Sequence, residues 1–181
     1  MGWKDFFKKK KTEETDPLND LILVNLGVGS YVDYDMKTWE VTAYHHYDWG
    51  EGDMTREWQL ISSDETVYLE QETDDDVFWS INRKISFNRL GPDVRNHILK
   101  NENPPDEIEF QGTHYFLEDS AGGKFFKDGT GTGRELLKWE YEDDSGKNYL
   151  SIEQWGEESF ETSVGHEAEE YQFSNILPPP S

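Results

Sequence analysis

The chain has no cysteine, which excludes disulfides, thiolate catalysis and thiolate metal sites together. Long hydrophobic runs are missing as well. No window approaches the roughly 18 apolar residues of a membrane-spanning helix, and the N-terminus lacks the apolar centre of a signal peptide. A soluble, cytoplasmic protein is expected. Basic residues are scarce: 17 Lys and Arg face 39 Asp and Glu, a formal charge of −22. A field of that sign repels phosphate backbones, which disfavours nucleic acid as a partner and favours basic protein surfaces or small cations. The plainer reading is that the acidity keeps an aromatic-rich protein in solution.

Only 34% of the residues are hydrophobic, but seven Trp, nine Tyr and ten Phe carry enough buried area for a folded core. The remaining information is a duplication. Trp58, Tyr68-Leu69, Glu72 and Trp79 recur at identical offsets as Trp139, Tyr149-Leu150, Glu153 and Phe160. Gly50-x-Gly52 with Arg56-Glu57, and Gly129-x-Gly131 with Arg134-Glu135, precede the two tryptophans at slightly different spacing.

Around these anchors the pattern is of strands. Trp39, Val41 and Ala43 alternate with Glu40 and Thr42, and Arg56, Trp58 and Leu60 alternate with Glu57, Gln59 and Ile61. Leu21 to Val24 and Tyr171 to Phe173 are also read as extended. Pro92 to about Lys100 predicts one short helix, with Val94, Ile98 and Leu99 on one face. The fold class expected is all-β and mainly antiparallel, in two tandem meander or half-barrel lobes with at most one short helix between them. The segments are a basic-aromatic tail and linker (1–20), a first repeat (21–100), a second repeat (101–178) and a short end (179–181).

Catalytic motifs do not appear. Gly129-Thr130-Gly131-Thr132-Gly133 lacks the Lys-Ser/Thr that closes a phosphate loop, and Arg134-Glu135 leads into a strand. Glu142 to Gly146 fails as a calcium loop, because Tyr141 and Ile152 fall where carboxylates are needed. His45 and His46 point to opposite faces of a strand, and His97, His114 and His166 show no ligand spacing. No metal, cofactor or catalytic residue is therefore assigned. Glu57, Glu72, Glu135 and Glu153 recur in both copies and are read as structural, partnered by Arg56 and Arg134; an acid/base pair would need one of them desolvated in a cleft.

Two candidate contact regions remain. Trp3, Phe6 and Phe7 beside Lys8, Lys9, Lys10 and Lys11 suit an anionic headgroup interface, where each lysine contributes about 1 kcal/mol; the alternative is a solvated tail. Trp49, Tyr44, Tyr47, Tyr141 and Trp155, with Glu157, lie near acidic turns and could cage an organic cation such as a polyamine. Trp58, Trp79 and Trp139 are read as core.

The run Val32-Asp33-Tyr34-Asp35 to Trp39-Glu40-Val41-Thr42-Ala43-Tyr44, then Tyr47-Asp48 and Arg56-Glu57-Trp58, resembles the bacterial domain-of-unknown-function 4178 family. Tyr68-Leu69-Glu70, Leu150 to Glu157 and Asn175-Ile176-Leu177-Pro178 extend the likeness over about residues 21 to 178. The resemblance carries no activity. It implies a gene neighbourhood of membrane-stress proteins, of the phage-shock or ESCRT-III-like type, and of polyamine-synthesis enzymes. The function expected is a non-enzymatic acidic accessory or adaptor protein for a basic partner such as a phage-shock or ESCRT-III-like protein, peripheral at the inner face of the membrane. A polyamine-binding module is the alternative.

Overall fold

The alternating pattern becomes eleven strands in the computed structural model, which describes residues 22–73 and 76–180. The first half supplies β1 (Tyr31–Tyr34), β2 (Lys37–Gly50), β3 (Asp53–Ile61), β4 (Thr66–Thr73) and β5 (Val77–Ile85). After helix α1 (Pro92–Asn101) the second half supplies β6 (Glu107–Phe110), β7 (Thr113–Phe126), β8 (Arg134–Asp143), β9 (Asn148–Gly156) and β10 (Ser159–Ala168), with β11 (Ser174–Leu177) returning to β1. Every pairing is antiparallel. The order is β11-β1-β2-β3-β4-β5-β10-β9-β8-β7-β6, and β2 also pairs with β7. The strands from β2 to β7 therefore close into a ring, sealed by three residue pairs: His46 with Phe126, Tyr47 with Phe125 and Asp48 with Lys124.

Alternation sorts the side chains of this ring into two compartments. Outward from β3, β4 and β5 point Trp58, Leu60, Val67, Leu69, Trp79 and Ile81, buried with Leu23, Leu26, Val32 and Phe173. Outward from β8 and β9 point Trp139, Tyr141, Leu150 and Ile152, buried with Phe87, Val94, Ile98, Ile108 and Phe110. The segment before β1 and the helix with β6 thus cover two outer faces. Trp58 Nε1 donates to the Leu26 carbonyl at 2.8 Å and Trp139 Nε1 to Asn103 Oδ1 at 3.4 Å, so each indole pins its own cover. Inward from the same strands point ionisable groups.

Bulges move the long strands between compartments. In β2, Val41 lies opposite Leu60 on the outer side; the extra residue Thr42 then lets Ala43 face Gln59, His45 face Glu57 and Tyr47 face Thr55 on the inner side. In β7, Leu117 faces Tyr141, and the extra residue Glu118 brings Asp119 opposite Glu140 and Ala121 opposite Lys138. Both fourteen-residue strands change face at the same point along their length.

Several expectations are corrected. Leu23–Asn25 and Glu170–Gln172 are 3-10 turns, the latter closed by reciprocal hydrogen bonds between Glu169 and Gln172. Ala43 does not share a face with Trp39 and Val41, because the bulge intervenes. The helix forms where Pro92 and Asp93 favour its start, and it buries Val94 and Ile98, but Leu99 is 49% exposed. The halves do not separate into two sheets, since β5 pairs with β10 and β2 with β7. Their hairpins differ in register too: Trp58 lies opposite Leu69, whereas Trp139 lies opposite Ile152 and Leu150 opposite Tyr141.

Candidate functional site

Two strands of the ring bring opposite charges to its interior from matching places. Glu57 directly precedes Trp58 on β3, and Lys138 directly precedes Trp139 on β8. With each tryptophan held outward, period two turns the preceding residue inward. Lys138 is 4% exposed. Its ammonium donates to Glu140 Oε1 at 2.6 Å and lies 3.6 Å from Glu70 Oε2, which reaches it from β4 on the far side of the ring. Burial alone would lower the Lys138 pKa, but Glu140, Glu70, Glu72 and Glu153 outweigh it and hold the ammonium well above its ordinary value.

The carboxyls outnumber that ammonium. Glu57 and Glu70 face each other across β3 and β4. Tyr47 Oη donates to Glu153 Oε1 at 3.0 Å and lies 3.4 Å from Glu57 Oε2, linking β2, β3 and β9. Burial, reinforced by Glu70 and Glu153, pushes the Glu57 carboxyl up to about 8. Burial and then Glu140 push Glu72 up to about 7. Glu153 is raised by burial as well, against the pull of Lys138. At neutral pH this interior therefore retains protons, because Lys138 and Lys84 are too few to neutralise every carboxyl that burial brings together there.

Rings stand beside the charges. Trp49 is the extra residue of a bulge near the end of β2, which aims its indole across Tyr47 in a near-parallel stack with centroids 5.3 Å apart. Glycine makes the position possible: a methyl group on Gly123 of β7 would come within 2.5 Å of the Trp49 ring. Trp49 Nε1 donates to Thr55 Oγ1 at 2.9 Å, fixing the plane. The Lys138 ammonium lies 5.7 Å from both the Tyr47 and the Trp49 ring centres, within cation–π range. Beyond them opens a cavity of about 850 Å3, walled by Trp49, Glu70, Glu72, Phe78, Lys138 and Glu140 among others. Eight carboxyl groups and one ammonium line it, so its field is negative even with Glu72 partly protonated.

The predicted cage residues divide. Tyr47 and Trp49 meet at the Lys138 ammonium. Trp155, the extra residue of a bulge in β9, is joined to them through Phe125, whose ring centre is 5.4 Å from Trp155 and 5.0 Å from Tyr47; Arg134 covers it at 4.8 Å. Tyr44 sits on the outer side against Trp58, Tyr141 donates its hydroxyl to the Pro105 carbonyl at 2.8 Å, and Glu157 is exposed in the β9–β10 turn. Glu57, Glu72 and Glu153 converge on the interior, whereas Glu135 is exposed. Arg56 and Arg134 are not their partners: Arg56 donates to Gln71 at 3.4 Å and Arg134 to the Trp155 carbonyl at the same distance. Lys138, Glu70 and Glu140 escaped the reading of the sequence, although the alternation Lys138-Trp139-Glu140-Tyr141 carries the signal. The candidate membrane contacts Trp3, Phe6, Phe7 and Lys8 to Lys11 lie outside the described residues. Among the described residues no helix is long and apolar enough to cross a membrane.

The strands of this ring fall within a recognised sequence family. The family model described as "Domain of unknown function (DUF4178)" matches residues 27–170. The chain belongs to that family. The match begins before β1 and ends just after β10, so it takes in every strand of the ring. A relative in Aquifex aeolicus (strain VF5), described as "Uncharacterized protein", is 28% identical over 182 residues, covering 98% of this chain and 99% of the relative. No solved structure matches.

Proposed function

We propose that this member of the DUF4178 family is a non-enzymatic binding module whose ring interior takes a small organic polycation, a linear oligoamine of the polyamine type. One observation carries the reading: an 850 Å3 cavity walled by eight carboxyl groups and a single ammonium, with aromatic faces at its inner end. Carboxylates supply the Coulomb attraction, rings supply cation–π contact, and a chain of methylenes suits the apolar part of the wall. An arriving ammonium also supplies the counter-ion that Glu72 otherwise replaces with a proton.

Calorimetric titration with spermidine tests this. A shaped site gives saturable binding that persists above ~0.15 M salt, where diffuse attraction is largely screened. Glu72→Gln combined with Glu140→Gln should weaken it by about tenfold or more, given roughly 1.5–3 kcal/mol for a hydrogen bond to a charged group. Heat that vanishes with salt, or binding indifferent to the double variant, would refute the proposal.

The net charge of −22 favours a second reading, an acidic adaptor for a basic protein surface in a membrane-stress system of the phage-shock or ESCRT-III-like type. Anionic vesicles separate its membrane part: removing residues 1–11 abolishes vesicle binding if the basic-aromatic segment is the contact.

A further inference from the structure

The cavity already contains one cation of the kind proposed to enter it. Lys138 reaches the interior with a side chain only 5% exposed, and its ammonium is met by Glu140 at 2.6 Å and Glu70 at 3.6 Å. Tyr47 and Trp49 wall it at 5.7 Å each. A buried lysine offsets its desolvation only with a well-placed carboxylate and further polar contacts. Here carboxyls from two separate strands and two stacked rings converge on it, with Gly123 of a third strand making room for the indole. Those are the parts of an ammonium receptor, assembled around an occupant that the chain supplies.

The geometry points to a self-occupied ammonium site, in which Lys138 is a tethered occupant and the enclosure of Glu70, Glu140, Tyr47 and Trp49 takes a free primary alkylammonium once that lysine is shortened. The inference deepens the oligoamine reading and rests on it for its biological sense: Lys138 fills the innermost position, so an entering oligoamine is confined to the positions nearer Glu72 and the cavity mouth.

Chemical rescue tests it. Lys138→Ala removes three methylenes and the ammonium, so n-propylammonium has the size and charge of what is lost. Expected is a rise of several degrees in the Tm of Lys138→Ala in n-propylammonium chloride over sodium chloride at matched ionic strength, with tetramethylammonium giving less and the native chain showing no such difference. Equal shifts in all three salts would overturn the inference. Should the alanine variant fail to fold, the native chain still decides. Nitrogen-15 NMR at pH 8 should show one lysine ammonium with slowly exchanging protons, absent in Lys138→Met or Lys138→Arg; if every lysine ammonium exchanges rapidly, the enclosure does not exist. The two readings fail separately. Spermidine that ignores the native chain sinks the oligoamine proposal, and propylammonium that fails to rescue sinks this one.

Discussion

On β3, Trp58 and Leu60 leave the ring for packed hydrocarbon, while Glu57, one residue from Trp58, turns into it and meets Tyr47. On β8 the same division separates Trp139 and Tyr141 from Lys138 and Glu140. Small barrels commonly fill their interiors with apolar side chains. This ring does the reverse, placing its two apolar clusters on outer faces and covering them with the segment before β1, the helix and β6. The outer faces therefore supply the stability that lets the inner face hold ionisable groups at a cost.

That contrast is open to test, beginning with its largest consequence. Trp58→Ala should cost about 3–5 kcal/mol, as large-to-small changes at buried aromatic sites do, and denaturant unfolding measures it. The loss has a second part here, because the variant also removes the indole donor that holds the Leu26 carbonyl. A cost below about 1 kcal/mol would mean that the outer clusters do not carry the fold.

The inner face gives a smaller effect with a definite sign. Glu57 and Glu72 have folded-state pKa values of about 8 and about 7, above the ordinary carboxyl value. The folded protein thus binds more protons than the unfolded chain between the two, and stability falls as pH rises through that window. A drop on the order of a few kcal/mol from pH 5 to pH 9, several degrees in Tm, is expected. Glu57→Gln should flatten the slope while leaving the pH 5 value nearly unchanged. A profile as steep as that of the native chain would place the titrating group elsewhere.

The smallest change lies on neither face. Asp35 and Met36 form the β1–β2 turn with φ of 50° and 60°, and Met36 is fully exposed. The corresponding β6–β7 turn uses Gln111 and Gly112. Met36→Gly should therefore stabilise by about 1 kcal/mol, relieving a left-handed conformation that a side chain adopts poorly. Thermal unfolding at pH 6 would show it, and a loss of stability would mean that the turn is not strained.

The strands, the turns and the helix were legible because each is written locally, in period-two alternation, in glycine pairs and in Pro92-Asp93. The burial of Trp58 and Trp139 was legible for the same reason. What the alternation could not say is what each face meets. Lys138 and Glu140 are visibly opposite Trp139 in the sequence, yet their enclosure depends on β2 closing onto β7 from 78 residues away in the pair Tyr47–Phe125. Tyr47 and Trp49 reached the site, while Tyr44 did not, since bulges decide which way the later part of β2 points and arise only from cross-strand pairing. Tyr141 borders the cavity, but its ring belongs to the second apolar cluster and its hydroxyl to the Pro105 carbonyl, which its acidic neighbours in the following turn do not reveal.

Thr42 illustrates what that costs an evolving lineage. Many residues serve at a bulge, so its identity is loosely constrained, but its presence is not. Deleting it would turn His45 and Tyr47 to the outer side and Tyr44 and His46 to the interior, reversing the polarity of the whole downstream strand. Relatives that keep this architecture are expected to vary freely at position 42 and to preserve the spacing between Trp39 and Tyr47 without insertion or loss.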